Sequence, residues 1–161
     1  MARACPPARS CSGDSTIETG FLLPDIEDPD GAPFWEGTAR GELRVQVCDG
    51  CGTWRMPPRP MCPACRSLEI SWVVTSGRGT IWSFIVPHPP LLPAYAELAP
   101  YNAIVVALDD NPTIRFVGNL VEHADGPINA IDPATIEIGE PVQVVFQQVE
   151  EVTLPRWVRA G

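Results

Sequence analysis

The sequence of 161 residues contains no lysine, and all 11 of its basic residues are arginines. This excludes a Schiff base to a carbonyl substrate and the lysine of a phosphate-binding loop. Acidic residues number 20, so the formal net charge is −9. Because affinity for nucleic acid comes mostly from cations that neutralise phosphates, this balance argues against a general nucleic-acid binder.

Long apolar runs are also missing. No stretch approaches the roughly 20 residues needed to cross a bilayer. The N-terminus has two arginines, but the apolar segment of a secretory signal does not follow them. We therefore expect no membrane segment and a cytoplasmic location, where thiols stay reduced and clustered cysteines indicate metal more than disulfides.

Catalytic signatures are scarce. The chain has two histidines, His88 and His123, and neither has a sequence neighbour that suggests a nucleophile pair. There is no GxSxG, no phosphate loop and no dinucleotide fingerprint. From its residues alone, the chain is expected to carry no catalytic residue of its own.

The most informative stretch is CDGCGTWRMPPRPMCPAC, which contains Cys48, Cys51, Cys62 and Cys65 as two CxxC pairs with ten residues between them. Two such knuckles joined by a short hairpin can offer four sulfurs to a tetrahedral ion, which predicts a structural zinc ribbon. We expect Gly50 and Gly52 to adopt positive φ in the knuckle turn.

Other uses of these thiols are less consistent with the pattern. A redox CxxC stands alone ahead of a helix, whereas here two copies occur. Catalytic zinc needs an open coordination position, which four thiolates fill. An iron site with four thiolates stays open as an alternative. Cys5 and Cys11 lie in the N-terminal tail and are expected to be incidental.

The predicted fold is mainly β. We expect a flexible tail over 1–28, a linker and short helix over 29–43, the ribbon over 44–68, a five-stranded OB-fold barrel over 69–155 and a C-terminal tail over 156–161. Pro33 suits the first turn of the helix. The predicted barrel strands are 69–76, 79–87, 102–109, 113–121 and 141–149. A small sandwich is the alternative architecture.

A fifteen-residue segment, PHPPLLPAYAELAPY (87–101), is long for a joint between neighbouring strands and contains five prolines. Aromatic residues lie near predicted edges and connectors: Trp35, Trp54, Trp82, Trp157, Tyr95 and Tyr101. Aromatic and arginine side chains are enriched at protein interfaces, so an interaction surface is one role for these positions. Packing of helix, ribbon and barrel against one another is the role expected for most of them.

The order of these elements resembles a known family. PFWEG, the CxxC–CxxC ribbon, GTIWSFIVPH, PYNAIVVALDD, FVGNLV and IGEPVQVVF are similar, over about 33–155, to the acyl-CoA-associated family with a rubredoxin-like zinc ribbon and an OB-fold. Members are small partners of thiolase-fold enzymes. The stretch PHPPLLPAYAELAPYNAIVVAL resembles in particular the C-terminal module of actinobacterial steroid side-chain hydratase subunits.

The resemblance implies a partner rather than an enzyme. Such a module assists a lipid-transfer-protein-like, thiolase-fold aldolase that shortens a steroid-CoA side chain by retro-aldol cleavage. It implies zinc at Cys48, Cys51, Cys62 and Cys65, with the acyl-CoA held mainly by the partner. It further implies a heterotetramer of two plus two chains, and in longer relatives a hotdog-fold hydratase domain, for which PDIEDPD resembles the linker.

Two further sets of residues are candidate contacts. A loop that faces a partner or substrate is expected to include His88, Pro89, Pro90, Tyr95 and Tyr101. If the module binds acyl-CoA directly in the OB groove, Arg78 and Arg115 are expected to meet its phosphates. A single-strand nucleic-acid module is the third hypothesis, and the excess of acids counts against it.

Overall fold

The computed structural model describes residues 22–161, so the predictions for Cys5, Cys11 and most of the N-terminal tail lie outside the described residues. The fold is mainly β, as predicted. Its elements in chain order are α1 (Ala32–Ala39), β1 (Arg44–Cys48), β2 (Trp54–Arg55), β3 (Ile70–Val74), β4 (Arg78–Ile85), α2 (Pro93–Ala96), β5 (Ala103–Leu108), β6 (Arg115–Gly118), a 3-10 turn (Pro133–Thr135), β7 (Pro141–Val149) and β8 (Val152–Arg159).

The short helix α1 joins the two sheets. Proline in its first turn supplies a fixed φ, and Phe34 and Thr38 face inward with 4% and 1% of their surface exposed. The helix packs on β8 and β1. A Cβ at Gly37 would lie 2.7 Å from Cδ of Arg44, so glycine is needed there for the helix to approach the ribbon closely. This helix depends on its packing, because it has only eight residues and contains Gly37, and both features weaken an isolated helix.

The first sheet is the ribbon sheet, in the antiparallel order β2-β1-β3. β3 pairs with β1 from Arg44 opposite Val74 to Cys48 opposite Ile70. The prediction that 69–76 forms the first barrel strand was therefore wrong. Alternation of apolar residues identifies a strand and its faces, but it does not specify the neighbour with which the strand pairs.

The second sheet has the order β6-β5-β4-β7-β8 and closes on itself. Closure comes from a parallel bridge between Leu120 and Trp157: Trp157 N–H donates to the Asn119 carbonyl at 3.0 Å, and Val121 N–H donates to the Trp157 carbonyl at 2.8 Å. The result is the five-stranded OB-fold barrel. Its fifth strand is β8, so the segment expected to be a tail from residue 156 is part of the barrel wall as far as Arg159.

An aromatic row links the helix to the barrel. Phe34 of α1 stacks on Phe116 of β6 with ring centroids 6.0 Å apart, and Phe116 meets Trp157 of β8 at 6.5 Å. Trp157 is fully buried. The core therefore runs without interruption from the barrel interior to α1, and helix and barrel are positioned by one another.

The buried side chain of Asn102, just before β5, holds the segment that follows β6 by hydrogen bonds. Its Nδ2 donates to the carbonyls of Leu120 (2.9 Å) and Ile128 (3.4 Å), and its Oδ1 accepts from Leu120 N–H at 2.7 Å. We expect Asn102→Ala to destabilise the fold by roughly 2–4 kcal/mol, because it leaves buried backbone groups without partners. Urea unfolding tests this. Asn129→Ala, at an exposed position, is the matched control and should change stability by less than about 0.5 kcal/mol.

Candidate functional site

The four predicted cysteines come together at one end of the ribbon sheet. All four Sγ atoms lie within 4.8 Å of one another. The Cys48–Cys65 and Cys51–Cys62 sulfur pairs are 3.5 and 3.6 Å apart. A tetrahedral zinc ion with Zn–S bonds of about 2.3 Å places its sulfurs about 3.8 Å apart. Both the donor set and the spacing therefore fit zinc, as predicted.

The two knuckles have the same backbone geometry. In each, the residue after the second cysteine is left-handed: Gly52 has φ of 72° and Arg66 has φ of 63°. Their N–H groups donate to the carbonyls of Cys48 and Cys62, both at 2.8 Å. Gly52 thus has the predicted positive φ. Gly50 does not, and its role is steric, since a Cβ there would lie 3.1 Å from Cβ of Ser67.

Electrostatics in the thiol cluster favour a bound cation. The hydroxyl and backbone N–H of Thr53 lower the pKa of Cys51 to about 6. The backbone N–H of Ser67 also lowers the pKa of Cys65, but the adjacent sulfurs of Cys51 and Cys48 outweigh it and raise this pKa to about 12. Four negative sulfurs at this spacing repel one another, and a divalent cation that displaces the thiol protons removes that repulsion.

When bound, zinc supplies a cross-link between the two knuckles. Cys48 and Cys62 are buried, whereas Cys51 and Cys65 are exposed, so the ion would lie at the sheet end rather than inside the core. Four thiolates leave no coordination position for water or substrate. The centre is therefore structural.

The paired knuckle positions give a matched test of ribbon stability. Gly52→Ala places a side chain at φ of 72°, which costs about 1 kcal/mol, and Arg66→Gly relieves the same strain in the second knuckle. We expect Gly52→Ala to lower the affinity for zinc about fivefold and Arg66→Gly to leave it unchanged or raise it. Competition with a chromogenic chelator measures both. Equal effects of the two variants would contradict this assignment.

The proline-rich loop separates its predicted contact residues. His88, Pro89 and Pro90 are exposed and line neither cavity described below. Tyr95, on α2, and Tyr101 lie together with ring centroids 6.1 Å apart. Both line a cavity of about 300 Å³ against the barrel. The structure therefore brings the two tyrosines together, and it leaves the His88 end of the loop at the surface.

A larger groove, with a volume of about 1020 Å³, lies between α1, the turn after β2, and strands β6 and β8. Arg115 lines this groove, and Arg78 does not. The strand register places both arginines on the outer face of β4–β6. Arg115 pairs with Ala107, and Arg78 lies opposite Asp109, two residues further along the same face. The two predicted arginines thus share a face, but only Arg115 reaches the groove.

Two features of the grooves and their surroundings were not predicted from the sequence. The guanidinium of Arg115 lies 3.7 Å from the ring centroid of Trp82, which is 51% exposed at an irregularity in β4. Arg156, expected in the tail, lies instead in β8 and lines both cavities; its Nε donates to Gln147 at 3.0 Å and Nη1 donates to Asn119. Burial lowers the pKa of Arg156. The tail carried no periodic signal that revealed a buried strand.

The fold and site define a structural zinc ribbon joined to an OB-fold barrel. Residues 35–71 match the sequence model of the ChsH2 rubredoxin-like zinc ribbon domain, and residues 72–147 match that of the ChsH2 C-terminal OB-fold domain. The chain belongs to this ChsH2 family, as the resemblance of its motifs indicated.

Individual proteins with similar sequences support the same family assignment. The 3-oxo-4,17-pregnadiene-20-carboxyl-CoA hydratase alpha subunit of Mycobacterium tuberculosis is 34% identical over 146 residues, which cover 84% of this chain and 42% of that protein. A DUF35 domain-containing scaffold protein of Methanothermobacter thermautotrophicus is 32% identical over 113 residues, 70% of this chain and 77% of that protein. This chain therefore spans about two fifths of the hydratase subunit and most of the scaffold protein.

A solved structure described as the Ltp2-ChsH2(DUF35) aldolase contains a similar chain. The TM-score is 0.68 at 33% identity, and the match covers 86% of this chain and 100% of that one.

Among residues 22–161, no helix is long and apolar enough to span a bilayer.

Proposed function

We propose that this chain is a non-catalytic accessory subunit of a thiolase-fold, acyl-CoA-dependent aldolase that shortens a steroid-CoA side chain by retro-aldol cleavage in sterol catabolism. The observation that carries the proposal is the match along the full length of a chain in the aldolase structure. The zinc ribbon supports it, because a closed tetrathiolate site orders a surface and offers no reaction centre. The proposed assembly is a two-plus-two heterotetramer, with the acyl-CoA held mainly by the partner.

The barrel offers a surface suited to such docking. The Trp82 surface consists of Trp82, Ile85, Arg115 and Val117 on the outer face of β4–β6. Its three apolar side chains are 51%, 65% and 74% exposed, in the order Trp82, Ile85, Val117. Buried tryptophan and arginine side chains dominate the binding energy of protein interfaces. A preformed Arg115–Trp82 stack loses little side-chain entropy on docking, since each side chain already restricts the other.

Co-expression with the thiolase-fold partner tests the proposal. We expect a stable complex, and retro-aldol activity on a steroid-CoA aldol substrate that neither chain shows alone. Trp82→Ala should weaken the complex at least about 30-fold, the change that corresponds to a hot-spot residue. Ile138→Ala is the matched control, since Ile138 is 68% exposed outside this surface. A partner that is monodisperse and fully active without this chain would refute the role.

A second candidate function is direct binding of acyl-CoA in a thiolase or hydratase complex, including one with a hotdog-fold hydratase. The groove of about 1020 Å³ favours it, because aromatic side chains of α1 form one side and Arg115 and Arg156 contribute cations. Within residues 22–161 neither arginine has a carboxylate partner. Calorimetry of the isolated chain with acyl-CoA separates the candidates: micromolar binding that Arg156→Gln abolishes supports this one, and no heat of binding rejects it.

A further inference from the structure

The outer edge of the ribbon sheet is open. In the part of the chain that the structure describes, β3 pairs with β1 and with no other strand. Thr75 N–H donates to the Leu43 carbonyl at 2.9 Å, and Asp49 N–H donates to the Glu69 carbonyl at 3.1 Å. Along an antiparallel ladder, hydrogen-bonded residue pairs alternate with pairs that are not hydrogen-bonded. Because Thr75 and Glu69 bond to the β1 side, the backbone groups of the odd-numbered residues of β3 bond to β1. The N–H and C=O groups of Ile70, Trp72 and Val74 therefore point away from the sheet.

This edge lacks the usual protection. Natural edge strands are blunted by charged residues, proline or bulges, because unpaired backbone groups are a template for another strand. Between residues 70 and 74, ISWVV contains no charge and no proline. Ile70, Val73 and Val74 are 38%, 37% and 53% exposed, and Leu68 just before them is 67% exposed. The strand is thus both open to pairing and apolar.

The edge is also self-complementary. An antiparallel pair of β3 strands with a two-fold axis at Trp72 sets Trp72 opposite its own copy and Ile70 opposite Val74. In this register all outward N–H and C=O groups meet, giving about six backbone hydrogen bonds. Glu69 lies opposite Thr75, so no like charges oppose each other. For a chain of net charge −9, this uncharged strand lets two copies approach with little local repulsion.

We propose that two copies of this chain associate through β3, joining their ribbon sheets into one six-stranded antiparallel sheet. The interface is isologous, as a two-fold dimer requires. The proposal does not depend on the aldolase partnership, because the Trp82 surface belongs to the barrel sheet and β3 to the ribbon sheet. Loss of self-association should leave binding to the aldolase intact, and loss of aldolase binding should leave self-association intact.

The register gives a specific test by analytical ultracentrifugation of the full zinc-loaded chain over a range of concentrations. Wild type should show a monomer–dimer equilibrium. Ile70→Lys and Val74→Glu should each raise the dimer dissociation constant at least about tenfold, since each introduces a charge opposite an apolar side chain. The double variant should return to within about threefold of wild type, because each lysine then faces a glutamate of the other copy.

The double variant reports specifically on pairing between two copies. Residues 70 and 74 lie about 13 Å apart along one strand, so the two charges cannot compensate within a chain. Leu92→Lys, at a position 56% exposed in the proline-rich loop, is the control and should leave the equilibrium unchanged. Zinc content and far-UV circular dichroism verify that each variant is folded.

Three results would overturn the proposal. The first is wild-type protein that stays monomeric up to its solubility limit. The second is a double variant no better at dimerising than the single ones. The third is an edge that pairs only with an added extended peptide, which would show that β3 receives a strand of another protein.

Discussion

Cys62→Ser is expected to release the metal and unfold the ribbon. The Cys62 sulfur is buried and lies 3.6 Å from that of Cys51, so its loss opens the tetrahedral shell from the inside. Structural zinc contributes roughly 10–16 kcal/mol in small ribbons, comparable to or larger than the stability of a whole domain. Elemental analysis should find less than about 0.2 equivalents of zinc. Hydrogen exchange should accelerate across β1, β2 and β3.

Cys11→Ser is the matched control, since it makes the same chemical change at a cysteine that belongs to neither CxxC pair. It should retain one equivalent of zinc and the wild-type exchange pattern. Acidification should act in the same direction as Cys62→Ser, because protons compete with the ion for thiolates and metal affinity falls as the pH falls. A folded Cys62→Ser protein that still holds one equivalent of metal, or a metal-free wild type with an intact ribbon, would disprove the assignment.

Trp157→Ala should have the second large effect, a loss of about 3–5 kcal/mol in the free energy of unfolding. Trp157 is fully buried, and its backbone makes both bonds that join β8 to the segment after β6. Removing its ring leaves a cavity where α1, β6 and β8 meet. Denaturant unfolding followed by far-UV circular dichroism measures the loss, which should be accompanied by weaker exchange protection in β8.

Trp82→Ala is the control for Trp157→Ala, because it removes the same side chain from a half-exposed position. It should cost less than about 1 kcal/mol in stability while weakening partner binding. Gly118→Ala checks the same junction independently, since a Cβ there would lie 2.9 Å from the Trp157 ring. If Trp157→Ala destabilises the fold no more than Trp82→Ala does, the closure of the barrel does not depend on the Trp157 side chain.

Much of the metal centre followed from the sequence. All four ligands lie within eighteen residues, so their spacing in the chain restricts their spacing in three dimensions. Four thiolates then restrict the ion to zinc or iron and leave no open coordination position. The short helix and four of the five barrel strands were predictable for the same reason: their patterns are local.

Tertiary structure decided which strands became neighbours and which tryptophan was buried. The alternation in β3 showed a strand, but only its pairing with β1 assigned it to the ribbon and left its far edge open. The residues of β8 form a strand because the barrel needs a wall between β7 and the segment after β6, which buries Trp157. An irregularity in β4 leaves Trp82 half exposed beside Arg115. Periodicity describes how one segment divides its side chains between two faces, whereas strand order and barrel closure depend on contacts between residues far apart in the chain.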